Sequence, residues 1–157
     1  MGRFRKQPYE KKRFESTGES NDTSANIYIS MLMSKAWKEL SAKQHELYLY
    51  CKAQYYAEKK KPIKGNALSF TMNQAKWHGL YGLYNSSNFK AFYKDMSALI
   101  EYGFIRCLFC GSTTRTKSIY EFSNKWQKYG TPEFEILPSE MTNAMSKKYT
   151  AGKNKKE

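Results

Sequence analysis

No stretch of this sequence stays apolar long enough to cross a bilayer. The longest candidates are broken by Lys, Glu or Ser within a few residues, whereas a spanning helix needs about 20 apolar positions. The opening "MGRFRKQPYEKKRF" is basic, but no apolar segment follows it, so it does not read as a secretory signal. Cysteine is scarce as well. Three of them, an odd number, in a chain without such a signal suit free thiols in a reducing cytosol, the expected compartment. There are only two histidines, and neither has a carboxylate placed to pair with it. A Gly-rich phosphate loop is lacking, as is a nucleophile with a base nearby. The thirteen tyrosines offer a conceivable DNA-cleaving nucleophile, but a relaxase or nuclease would need a metal-binding His cluster, which is missing. No enzyme is expected.

Acidic residues are also few, 14 against 27 Lys and Arg, which leaves a net charge of +13. Such a balance favours a polyanion, and nucleic acid is the commonest one. The excess is unevenly spread. Six basic and three acidic residues lie within 1–20, and five lysines with one glutamate within 147–157. Residues 1–24 read as a flexible basic arm ending in the polar "ESTGESNDTS", and residues 147–157 as a disordered basic tail. A single domain of residues 25–146 is expected between them.

Inside that domain the helical signals are clear. "SKAWKEL" (34–40) suits a short helix, and "NIYISM" (26–31) a short strand or lead-in. In "SAKQHELYLYCKAQYYAEKKK" (41–61), Ser41 and Gln44 make a capping-box pattern, and Leu47, Tyr48, Cys51 and Tyr55 form one apolar stripe. "SFTMNQAKWHGLY" (69–81) repeats the box with Thr71 and Gln74. In "NSSNFKAFYKDMSALIEYGF" (85–104), Phe89, Phe92, Tyr93, Met96, Leu99 and Ile100 share one helical face. Ser86 or Ser87 is its expected cap, and Gly103 its left-handed stop. "FIRCLFC" and "KSIYEFS", separated by "GSTTRT", then read as a β-hairpin. "TPEFEILPSEMTNAM" is expected to pack back through Phe134, Ile136, Leu137 and Met141.

Helix, helix, helix, hairpin is the order of a winged helix-turn-helix. The expected fold is therefore α+β and mainly helical, with three helices, a two-stranded wing and room for a short third strand. In that arrangement the third helix enters the major groove and the wing lies beside it. Its outward face would carry Ser86, Ser87, Asn88, Lys90, Ala91 and Lys94, with Asn88 suited to an adenine edge and the lysines to guanine or phosphate. Asp95 and Glu101, further along, would repel phosphate and so confine contact to the first two turns. The wing tip, Thr113, Thr114, Arg115, Thr116 and Lys117, offers hydroxyls and cations, and Arg115 suits a narrow minor groove. Arg3, Arg5, Lys6, Lys11, Lys12 and Arg13 of the arm suit the backbone or minor groove.

Cys107-Leu108-Phe109-Cys110 has the spacing of a zinc knuckle. A structural zinc needs four ligands, however, and Cys51, His45 and His78 stand apart from this pair. On a regular strand, positions 107 and 110 face opposite ways, Cys107 inward with Ile105 and Phe109, Cys110 outward with Arg106. No metal or cofactor is expected.

"FESTGESNDTSANIYISMLMSKAWKELSAKQHELYLYCKAQYY", "NFKAFYKDMSALIEYGFIR" and "TKSIYEFSNKWQKYG" together resemble a family of small winged-helix proteins. These are carried by conjugative plasmids and integrative elements of Gram-positive bacteria, and the resemblance covers roughly residues 14–130. It is similar to the TcpK-like accessory proteins, whose winged helix binds an origin of transfer and assists the relaxase. The resemblance implies DNA contact by the wing, here Thr113 to Lys117; the basic arm and tail depart from the small family core. The expectation is thus a sequence-specific double-stranded DNA-binding accessory protein, with a relaxase as a second partner and no membrane. A repressor or replication initiator of the same element, and a winged-helix protein-interaction module, are the other two readings.

Overall fold

A computed structural model describes residues 24–57, 65–82 and 86–153. The basic arm that ends at residue 24 lies outside them except for Ser24, as do the runs at 58–64 and 83–85 and the last four residues. The described chain is α+β: helices with a small antiparallel sheet. Two short helices come first, α1 (Ile29–Leu32) and α2 (Lys35–Glu39). The lead-in expected near residue 26 is therefore partly helical. Then follow α3 (Ala42–Ala57), β1 (Ala67–Leu68), α4 (Met72–Trp77), α5 (Ser86–Glu101), β2 (Ile105–Phe109), β3 (Ile119–Phe122) and α6 (Asn143–Lys153). Short 3-10 turns at Lys125–Lys128 and Pro138–Glu140 lie between β3 and α6.

The start signals act as their residue types predict. Ser41 N–H donates to Gln44 Oε1 at 2.9 Å and Gln44 N–H to Ser41 Oγ at 3.3 Å. Thr71 and Gln74 make the same reciprocal pair at the head of α4. Each pair satisfies N–H groups that a helix start leaves without partners. Ser86 and Ser87 lie in the first turn of α5; the residues before it, 83–85, are outside the described set. At its far end Gly103 adopts φ +81, and a Cβ there would stand 2.7 Å from the Trp126 nitrogen. Glycine is required at this stop.

The sheet order is β1-β3-β2, all antiparallel, so the third strand is present and pairs with the far arm of the hairpin. The core lies between the sheet and the helices. Leu47, Tyr48 and Cys51 of α3 meet Phe92, Met96, Leu99 and Ile100 of α5, with Phe104, Ile105, Cys107 and Tyr120 closing the other side. Each such side chain contributes about 1.5–3 kcal/mol by leaving water. Tyr93, expected in this stripe, is instead 46% exposed at its margin, its ring against Phe89 and Phe92.

The outer face of the sheet is polar. Arg106 and Glu121 stand opposite each other across β2 and β3 and form an ion pair. Glu140 is only 5% exposed; it receives the Lys125 ammonium and the Leu137 N–H (3.0 Å) and lies 3.7 Å from Arg106. The segment after β3 is expected to pack through Phe134, Ile136, Leu137 and Met141. Met141 is buried, but Leu137 is 42% exposed, and this buried carboxylate fastens the segment down. Beyond it, Asn143–Lys153 is helical, so residues 147–153 of the expected disordered tail are the second half of α6.

Candidate nucleic-acid interface

The exposed part of α5 is a narrower stripe than expected. Ser87, Lys90 and Lys94, spaced three and four residues apart, are exposed on one face. Asn88 and Ala91 are half-buried, and Ala91 packs against the core. The side chain of Ser86 lies outside the described set. Lys90 and Lys94 form no ion pair among the described residues.

Asp95 does not face outward as a repelling charge. Its carboxylate accepts from Gln44 Nε2 at 3.0 Å and from the Tyr81 hydroxyl at 2.7 Å. The head of α3, the turn after α4 and the middle of α5 thus meet at one group. Burial foremost, and the bond to Asp95, push the Tyr81 phenol above its ordinary range, so it remains a donor. Tyr81 holds φ +61, a left-handed conformation that costs a non-glycine residue about 1–3 kcal/mol. The Lys43 ammonium stands 4.9 Å from the centre of its ring. This latch ties the middle of α5 to the head of α3 and to Tyr81. Sequence spacing gave no sign of it, because its three residues come from three elements.

The hairpin tip is compact. Thr116 N–H donates to the Gly111 carbonyl at 3.1 Å, and Gly111 N–H to Ser118 Oγ at 3.1 Å. A Cβ on Gly111 would stand 2.1 Å from the Thr116 carbonyl oxygen, so only glycine permits this approach. Thr114 and Thr116 join their hydroxyls at 2.8 Å. Residues 112–117 are all exposed, and Arg115 takes φ +54 at the apex. Arg115 and Lys117 also form no ion pair among the described residues. The arm positions Arg3, Arg5, Lys6, Lys11, Lys12 and Arg13 lie outside the described set.

The base of the hairpin departs from the regular strand. Cys107 pairs with Tyr120 but Phe109 with Ile119, so β2 carries one extra residue between them. A bulge of this kind shifts the alternation of side chains. Leu108 and Phe109 are both exposed, 47% and 44%, and Cys110 returns to the side of Cys107. The expectation that the two cysteines face opposite ways, with Phe109 inward, is corrected by this single insertion. Burial, with neighbouring Cys110 adding to it, pushes the Cys107 thiol up to about 11. Burial also raises Cys110, but donors outweigh it: the Asn143 N–H at the head of α6, the Ser112 hydroxyl at 3.3 Å and N–H, and the Ser118 hydroxyl. The result is a thiol below its ordinary value. Among the described residues, no three His, Cys, Asp or Glu side chains gather as a metal site.

An open cleft of about 500 Å³ lies on the outer sheet face, lined by Asn66, Arg106, Glu121, Ser123, Lys125 and Glu140. Its charged groups are already engaged with one another. Among the described residues no helix is long and apolar enough to cross a membrane. Comparison with protein-family models, curated proteins and solved structures finds no match to this chain.

Proposed function

We propose that the chain is a winged helix-turn-helix protein that binds double-stranded DNA, with α5 in the major groove and the β2–β3 tip on the neighbouring backbone or minor groove. The observation that carries this reading is the joint exposure of two cationic elements on one frame. Ser87, Lys90 and Lys94 line the open face of α5, and Arg115 and Lys117 crown the hairpin that follows it. Helix, strand, two helices and a hairpin, with β1 added to β3, supply the support such a reader needs. The family resemblance of residues 14–130 supports a place at the transfer origin of a mobile element. There the protein assists relaxase assembly without itself performing chemistry.

Binding to a random duplex, followed across salt concentration, tests the reading. Several phosphate contacts make affinity fall steeply, by about 10³-fold or more between low and physiological salt for six or more of them. Arg115→Ala and Lys117→Ala are expected to weaken binding with the melting temperature unchanged. Absent or salt-independent binding would sink the DNA reading.

A further inference from the structure

From residue 147 to 151, α6 has no packed face. Its first turn is anchored: Thr142 Oγ1 accepts from Met145 N–H at 3.3 Å, and Met141, Thr142 and Met145 are buried. The same turn is tied to the hairpin base, where Asn143 Nδ2 reaches Ser112 Oγ at 3.5 Å and its backbone N–H reaches the Cys110 sulfur. From residue 147 to 151 every side chain is exposed, including Lys147, Lys148 and Tyr149. The helix therefore roots beside the wing and then leaves the body of the protein.

A helix exposed all round gains nothing from tertiary packing, and so short a piece is marginal by itself in water. This one also contains Thr150 and Gly152, poor helix formers. Residues 147–153, "KKYTAGK", hold three lysines and no acidic residue, and Lys147 and Lys148 form no ion pair among the described residues. An apolar partner would find one aromatic ring here and little else. A polyanion would find a run of cations on a helix whose first turn is tied to the base of the basic hairpin.

We infer that the projecting half of α6 is a third DNA-contacting element, its lysines following the phosphate backbone of the same duplex beside the hairpin. The inference rests on the DNA-binding reading proposed above. It assigns α6 to affinity and register, and not to base recognition, because ammonium groups on phosphates carry no sequence information.

The full-length chain and its Lys147→Gln/Lys148→Gln variant can be compared on a random duplex and on the protein's own footprinted site, with Arg115→Ala/Lys117→Ala alongside. The variant is expected to reduce the slope of log affinity against log salt by about 2, close to 0.9 for each phosphate that is no longer neutralised. It should weaken both duplexes equally and keep the same melting temperature. If its slope and affinity match the unmodified chain while the hairpin variant is impaired, the assignment of α6 is wrong and the DNA reading stands. If the unmodified chain itself does not bind duplex, the DNA reading fails and the inference goes with it.

Discussion

Glu140 shows how much one residue can fix. Burial raises its carboxyl, but the Lys125 bond, the Leu137 N–H and the charges of Lys125 and Arg106 outweigh that and hold it below the usual carboxylate range. A carboxylate depressed in the folded state stabilises the fold above its unfolded pKa, and that stability is lost as pH falls through the folded value. Glu140→Gln is therefore expected to cost about 1–3 kcal/mol at neutral pH. Denaturant melts should show the gap closing as pH drops below the ordinary carboxylate range; a gap that persists in acid would mean packing, not charge, holds the segment. Cys110 gives a second test at this scale. Its lowered thiol and partial exposure make it the first cysteine to react with a maleimide at neutral pH. Cys107 and the fully buried Cys51, both pushed up by burial, should lag by about tenfold or more. Mass mapping of partial labelling decides the order.

Elements were legible where a local code specifies them. The boxes at Ser41 and Thr71, the glycine stop at 103 and, but for Tyr93, the apolar face of α5 are patterns within a few residues, and they appear where their spacing puts them. The β2 bulge was not legible, since an inserted residue is decided by the partner strand and not by the strand that carries it. The second half of α6 was missed for a related reason: lysines, a glycine and no apolar stripe spell a tail, and only its anchored first turn makes it a helix. At the hairpin, Gly111→Ala pits a new methyl against the Thr116 carbonyl. The tip must open, which is expected to cost about 1–3 kcal/mol, the range for forced overpacking. DNA affinity should fall along with melting temperature. A variant that melts as the parent does would mean the tip rearranges freely.

At the scale of the whole molecule, several described acids are engaged by neighbouring side chains. Glu121, Glu133 and Glu140 are each in ion pairs, and Asp95 is held by Gln44 and Tyr81. Lys90, Lys94, Arg115, Lys117, Lys147 and Lys148 form none among the described residues. Glu101, exposed near the end of α5, is also in no ion pair among the described residues. The candidate site was legible as a set of residues, but half-buried Asn88 and Ala91 and inward Asp95 could be told from Lys90 and Lys94 only after α3 and α5 were packed together. At this scale, footprinting across the encoding element is expected to protect a non-coding transfer origin. Protection confined to a promoter would instead make the protein a repressor.

The pairing of β1 with β3 has a consequence for synthesis. Ala67 and Leu68 have no sheet neighbour until Glu121 and Tyr120 arrive, and Tyr120 is among the most deeply buried side chains of the core. Helices α3 to α5 must therefore wait, apolar faces incompletely covered, while the ribosome makes the hairpin. Contacts this distant in sequence slow folding. Met141 and Met145, which also belong to the core, come later still.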